Sequence, residues 1–280
     1  MPEYFQDKVM SSKGILPSII WKCIKDGLRI VRTDFMNAEN YRQECTNSLT
    51  VFSYGITGYG QDMIQGLFFR RISRRLAEVE VQGHIFEAYI SNGIDMDFLE
   101  SGIVCFLREA ENENRRTPFD LYSIYDGDTL VCVDAKEPLR IAEIWASNKL
   151  NREVGREISF YANVKGMNLL ALNREKHDLM IQVMGTSFVN NRAAYLPKIP
   201  SKALNDRLES LLWMKDRGQD PRLLFVVCRD DADYFYANRE SDPDFAALLE
   251  DVKEAGVPIE VVRCSVNKEG MNIDCKIPLK

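Results

Sequence analysis

Residues 223–229, LLFVVCR, then 242–256, DPDFAALLEDVKEAG, then 258–266, PIEVVRCSV, form the stretch that decides the fold. The outer two runs are almost continuously apolar and rich in Val, Ile and Phe, the composition of strands buried on both faces. Between them, Asp242-Pro243 opens a helix: the Asp side chain accepts an orphan N–H, and Pro presets φ for the first turn. Gly256 closes that helix at its C-cap. Strand, helix, strand over this length implies a crossover unit, hence a sheet with helices on its faces. Ligands in such domains sit near strand ends, where strand order switches.

Upstream, the same alternation continues. SKALNDRLESLLWMKDRG (201–218) reads as a helix ended by Gly218, and REISFYANV (156–164), MNLLAL (167–172) and LMIQVMG (179–185) read as strands. Residues 151–280 are therefore expected to form one α/β domain with a mixed sheet. From Leu67 to Val133 the period changes to two. LAEVEVQG, HIFEAYI, IVCFLRE, DLYSIYDG and TLVCV are short runs broken by QG, NG, SG and DG, the pattern of hairpins in a small β-barrel or sandwich. A five-strand barrel is a frequent nucleic-acid platform, although the fold alone proves no function. Residues 137–150 regain a helical period through Leu139, Ile141, Ala142, Ile144 and Trp145, and read as a bridge between the domains. The expected organisation is an N-terminal extension and linker over 1–66, a β domain with its bridging helix over 67–150, and the α/β domain over 151–280.

Within the extension, Ile15, Leu16, Ile19, Ile20, Ile24, Leu28 and Val31 recur at helical spacing among Lys22, Lys25, Arg29 and Arg32. Trp21 and Cys23 widen the apolar surface, which favours a helix docked on its own protein over one lying on a membrane or partner. Residues 53–66, SYGITGYGQDMIQG, read as a glycine-rich linker. No Lys-Ser/Thr follows GITGYG and the third glycine of a dinucleotide fingerprint is missing, so no phosphate loop is expected.

Composition bounds the function. The chain has 280 residues, 45% hydrophobic and 28% charged, enough to bury a full core. Seven cysteines, odd in number and without a CxxC pair, read as buried free thiols in a reducing compartment. No apolar run reaches the roughly 18–20 residues of a membrane span, and the first residues lack a signal-peptide layout, so a cytoplasmic protein is expected. The net charge of −6 excludes a strongly basic nucleic-acid coat, and its acidic excess lies mainly in residues 67–150. Any nucleic-acid contact must come from a local patch. The only two histidines, His84 in a turn-like QGH and His177 in a polar loop, read as surface residues, and no structural zinc is expected.

Four strings in order carry a resemblance. GLFFRRISRRLAEVEVQG (66–83), Asn92 with Met96, RRTPFDLYSIYDG (115–127) followed by VDAKEPLRIAE (133–143), and the opening C-terminal stretch together resemble the sugar fermentation stimulation protein family, SfsA. The likeness runs from about Ile64 to the C-terminus. It implies an OB-like β-barrel domain, a restriction-endonuclease-like α/β domain of the PD-(D/E)xK type, and nucleic-acid binding. In that chemistry an Asp and a Glu hold Mg²⁺ or Mn²⁺ through hard oxygens, and a Lys activates the attacking water.

Matching the family's R-F-D-F strand and its E-V-K triplet backwards from AYLPKIP (194–200) places Asn168 at the Asp, Gln182 at the Glu and Met184 at the Lys. Each replacement removes a charge at nearly constant size. Amide oxygens can touch a cation but bring no negative charge, so most metal affinity should be gone. The family's T-E-R-G-x-x-H-L run is likewise replaced, with Ser201, Lys202, Ala203, Leu204 and then Arg207 before Leu208. Two escapes stay open: a slipped alignment using Asp178, or a migrated carboxylate such as Glu157 or Glu175.

What remains is binding. Arg70, Arg71, Arg74 and Arg75 cluster around Phe68 and Phe69, and Arg115 and Arg116 stand on a hairpin turn near Phe119. Arginine on phosphate with aromatic stacking is how OB-like surfaces hold single strands. The expected function is thus a non-catalytic, SfsA-like protein binding DNA or RNA without strong sequence preference, with no cofactor. The alternatives are a metal-dependent nuclease with displaced ligands, using Mg²⁺ or Mn²⁺, and a protein-interaction module in which residues 1–66 bind a partner or a second copy.

Overall fold

A computed structural model of the chain describes residues 63–91, 99–110, 115–154, 159–164, 169–173 and 179–280. Residues 1–62 of the N-terminal extension, with Asn92, Met96, Glu157, Asn168, Glu175, His177 and Asp178, lie outside the described residues, and the last residues of that extension already belong to the first strand.

The first six strands are β1 (Ile64–Ser73), β2 (Leu76–Val81), β3 (His84–Tyr89), β4 (Val104–Glu109), β5 (Phe119–Asp126) and β6 (Thr129–Cys132). They run β3-β2-β1-β4-β5-β6, and a parallel contact of β3 with β5 closes β1 to β5 into a barrel. The period-two pattern explains it. In β2, Ala77, Val79 and Val81 point inward to meet Phe68, Leu107, Leu121 and Ile124, while Glu78 and Glu80 stay at the surface. The β2–β3 turn needs positive φ at both central residues, which Gln82 (52°) and Gly83 (81°) adopt.

Helix α1 (Glu137–Val154) follows, and then β7 (Ser159–Val164), β8 (Leu169–Asn173), β9 (Leu179–Thr186), β10 (Val189–Asn190) and β11 (Ala193–Leu196). Helix α2 (Lys202–Asp216), β12 (Asp220–Val227), β13 (Tyr234–Ala237), helix α3 (Pro243–Glu254), β14 (Ile259–Asn267) and β15 (Gly270–Lys276) complete the chain. A six-stranded sheet runs β15-β14-β12-β9-β8-β7, parallel at its centre through β14, β12 and β9 and antiparallel at both edges. A smaller sheet, β10-β11-β13, pairs β11 and β13 in parallel.

Alternation along the buried strands sorts the core into two layers. Leu223, Phe225 and Val227 of β12, with Met180 and Met184 of β9, face α2 and α3, where Leu208, Leu211, Met214, Phe245 and Leu249 cover them. Leu224, Val226, Ile181 and Val183 face the other way, onto Ile141, Ala142, Trp145 and Ala146 of α1. Tyr122 and Cys132 from the barrel enter this second layer, so barrel and α/β sheet share one apolar seam. Helix α1, whose sequence pattern reads as a bridge belonging with the barrel, thus lays its apolar stripe on the second sheet.

Asp242 ties the two covering helices together. Its carboxylate accepts from Phe245 N at 2.9 Å as the N-cap of α3 and from Ser201 N at 2.9 Å just before α2.

Candidate functional site

Gln182 and Met184 lie two apart on β9 and therefore share a face, as the matched Glu and Lys positions require. Leu169, the residue after Asn168, stands opposite Gln182 in the β8–β9 register. The environment is apolar. Gln182 pairs across to Leu223 and Met184 to Phe225, Gln182 is 0% and Met184 1% exposed, and Met184 belongs to the cluster under α2 and α3. Among the described residues no group of three His, Cys, Asp or Glu side chains is placed to hold a metal. A buried amide beside a thioether supplies one neutral oxygen and no negative charge, so the described residues do not fit Mg²⁺ or Mn²⁺.

The structure divides the expected basic group by what each arginine already holds. Arg70 bonds Glu78 at 2.6 Å, Arg115 bonds Asp120 and Arg116 grips Glu87 through both oxygens, at 2.8 and 2.9 Å. The Arg70 hydrogen bond holds the Glu78 carboxyl below the usual range. Arg71 folds back onto the carbonyls of Ser73 and Arg74. Arg75 holds no acid among the described residues: its guanidinium donates to the Tyr89 hydroxyl at 2.7 Å and the Ser91 carbonyl. Arg115 lies over the other part of this network, 5.3 Å from the Tyr89 ring. Arg74, at the tip of the β1–β2 turn, is exposed and forms no side-chain ion pair with another described residue. Phe69 sits in a bulge between Phe68 and Arg70 and is 45% exposed, while Phe68 is buried in the barrel. Around it on the outer face are Leu67 and, across β2, Ile85 at 49% exposure. His84 is exposed at the start of β3. Cys105, Cys132, Cys228 and Cys264 are buried, and burial pushes the Cys105 thiol up to about 12, the condition of inert thiols.

A second feature is absent from the sequence-level expectations. Where β9 and β12 end, a cleft of about 500 Å³ opens between the barrel and α2. Gly185, Thr186 and Ser187 continue β9 into its floor, and Gly185 is there because a methyl group would run into Pro138 of α1. Arg74 comes from the barrel side, Lys198 from the loop after β11, and Lys202 and Arg207 from the first turns of α2. Burial pulls the Arg207 guanidinium below its ordinary range. Among the described residues lining the cleft the one carboxylate is Asp134, which accepts from Ser91, from Lys136 N and from Arg108, and Lys202 is bonded to the Asp206 carboxylate at 2.7 Å. Lys202 and Arg207 were legible only as departures from a family helix, and Lys198 only as part of the matched AYLPKIP; what marks them is their common place at the mouth of the central strands.

The arrangement has relatives. Residues 69–133 match the profile described as the SfsA N-terminal OB domain, and residues 136–270 match that of the sugar fermentation stimulation protein RE domain. A sugar fermentation stimulation protein homolog of Alkaliphilus metalliredigens is 28% identical over 227 residues, covering 78% of this chain and 97% of its own. The homolog of Natranaerobius thermophilus is 28% identical over 234 residues, covering 80% and 97%. Among solved structures, Pyrococcus furiosus SfsA in complex with Ca²⁺ superposes with a TM-score of 0.67 over 79% of this chain and 96% of that one, at 16% identity. Barrel, mixed sheet, seam and sequence agree: this chain belongs to the SfsA family.

Proposed function

We propose that this chain is a non-catalytic, nucleic-acid-binding member of its family, holding single-stranded DNA or RNA on the outer face of the barrel without strong sequence preference. The observation that carries the reading is Met184. A metal-dependent nuclease of the PD-(D/E)xK type needs an ammonium at that position, and here a thioether is sealed in an apolar cluster. The relative from Pyrococcus furiosus was solved with Ca²⁺. With an amide at 182 and an amide at 168, this chain lacks the charge that would hold such an ion at the matched positions.

Binding is supported by the exposed Phe69, a stacking platform open to any base, and by Arg74 and Arg75, which no carboxylate among the described residues neutralises. Arg70, Arg115 and Arg116 would have to leave an internal partner to reach a phosphate, so they contribute less. The test is a gel-shift assay with labelled single-stranded DNA, duplex DNA and RNA in Mg²⁺, Mn²⁺ or EDTA. Retarded but intact strands in all three conditions are expected, with retention lost in Phe69→Ala combined with Arg74→Ala. Cutting that EDTA stops would show displaced ligands, and an absence of any shift would move the weight to a protein partner.

A further inference from the structure

The outer face of the barrel carries an apolar row where a strand open to water should alternate polar. Leu67 and Phe69 of β1 and Ile85 of β3 are all exposed, and the register sets Leu67 and Ile85 on either side of Glu80 of β2. Val104 of β4, opposite Leu67 on its other flank, is half-buried and extends the row. Large apolar side chains scattered singly are ordinary, but a run of them across neighbouring strands marks a face that something covers. The acids there are unequally engaged. Glu78 is held by Arg70 and Glu87 by Arg116. Glu80, in the middle of the row, has no ion pair among the described residues, and neither has the exposed Glu100, in the turn that bonds to Phe68 through Gly102.

The chain itself supplies a segment of matching chemistry. Within residues 15–32, Ile20, Ile24, Leu28 and Val31 recur at helical spacing, while Lys22, Lys25, Arg29 and Arg32 follow one another in steps of three, four and three and so fall together on an adjacent face. An apolar stripe edged by cations fits an apolar row edged by carboxylates, and the acidic excess of residues 67–150 adds long-range attraction. Position favours the same segment. The family profiles begin at residue 69, and 78–80% of this chain accounts for 97% of the two homologs, so residues 15–32 stand outside what the relatives share. Roughly thirty residues separate Arg32 from β1, the strand that carries Leu67 and Phe69, a reach on the order of 100 Å when extended, so the tether sets no limit. Attachment also raises the effective concentration of the segment into the millimolar range, which favours it over a second copy of the chain.

We propose that residues 15–32 dock on the outer face of the barrel, laying Ile20, Ile24, Leu28 and Val31 over Leu67, Phe69 and Ile85, with the neighbouring cations turned toward Glu80 and Glu100. The docked segment covers Phe69. On the nucleic-acid reading above, on which this last step rests, a strand must displace it to stack there, and the extension restrains binding.

Thiol labelling of the full chain tests the docking without any nucleic acid. Ile85→Cys places a thiol on the covered face, and Ile199→Cys places one on the α/β domain, at a position 52% exposed, as the reference. Maleimide modification is followed at each position by peptide mass mapping. Ile24→Asp with Leu28→Asp should speed labelling at 85 by roughly tenfold or more and leave labelling at 199 as it was. Where the rate at 199 moves as well, Glu80→Lys decides, since it leaves the extension intact and should speed labelling at 85 by roughly threefold, the worth of an exposed ion pair. A rate at 85 that neither variant changes overturns the proposal. So does protection that is lost on dilution, because the face then belongs to a second copy. Oligothymidine affinity, measured separately, should rise by roughly tenfold in the Ile24→Asp, Leu28→Asp chain. Faster labelling with unchanged affinity overturns the restraint on binding, whereas no binding by either chain overturns the nucleic-acid reading and leaves the docked segment in place.

Discussion

At position 184 the side chain that the family resemblance sets at a catalytic Lys is a buried thioether. Met184 packs with Met180, Leu208, Leu211 and Phe225 and is fully enclosed, so the position has been absorbed into the core. Putting back a charge would now meet a dry environment. Met184→Lys alone should cost on the order of 3 kcal/mol or more in urea unfolding, because a buried ammonium loses its hydration and gains no partner. The pH dependence has a definite sign. A lysine that must fold neutral has a depressed folded-state pKa, the unfolded chain binds more protons, and the penalty should shrink as pH rises toward the ordinary lysine range. A Met184→Lys protein as stable as wild type would mean that the side chain reaches water and that the site is still open. Sequence alone carried the identity of this residue and its neutral side chain. It could not show enclosure, which depends on α2 closing over β9 and therefore on contacts far apart in the chain.

Elements are legible where one local signal fixes them and obscure where pairing is distant. Helix α3 follows from Asp242-Pro243 and Gly256, and the structure keeps both, with Asp242 capping and Gly256 at φ 70°. The small sheet escaped notice because Ala193–Leu196 finds its partner at Tyr234–Ala237, and neither run alternates by itself. Strand β15 was missed as well, since GMNIDCK carries polar residues on both faces of an edge strand. Asp242 also shows how one cap serves two elements. Burial alone would raise its carboxyl, but hydrogen bonds from Ser201 N and Phe245 N, aided by Asn205, hold it below the usual range. A depressed carboxylate stabilises the fold above its unfolded pKa and loses that contribution as pH falls through the folded value. Asp242→Ala should therefore cost about 1–2 kcal/mol at neutral pH, and the gap from wild type should close below about pH 4. Urea midpoints at both pH values would check this, and a gap that persists in acid would assign the loss to packing. Gly185→Ala tests the approach of α1 to β9. The added methyl meets Pro138, which cannot swing aside, so destabilisation of about 1–3 kcal/mol is expected.

Across the whole molecule, the barrel and the α/β sheet are joined by more than the apolar seam. Cys132 N donates to the Cys228 carbonyl at 3.0 Å, and Arg229, with its side chain 6% exposed, bonds Asp126 of the barrel at 2.8 Å and Asp231 at 2.6 Å. Arg229→Ala should cost roughly 2–3 kcal/mol, the buried-pair figure discounted for aspartates that remain partly exposed. The same joint fixes the barrel's outer face and the basic cleft in one frame, so a strand meets a preset number of cations. That number is small. Arg70, Arg115 and Arg116 are held by carboxylates and Lys202 by Asp206 at 2.7 Å, which leaves Arg74 and Arg75 on the barrel as the main contacts among the described residues. Each phosphate neutralised on a single strand contributes about −0.7 to the slope of log affinity against log salt, so two contacts predict a slope of about −1.4. A net charge of −6 adds no diffuse attraction that would steepen it. Fluorescence anisotropy of a labelled oligothymidine across a salt series measures this slope directly. Arg74→Ala with Arg75→Ala should flatten it by about 1.4, and Arg70→Ala should leave it nearly unchanged because that arginine is already neutralised by Glu78. A slope twice as steep would mean that the paired arginines abandon their carboxylates on binding, and the internal ion pairs would then be the reserve from which the phosphate contacts are drawn.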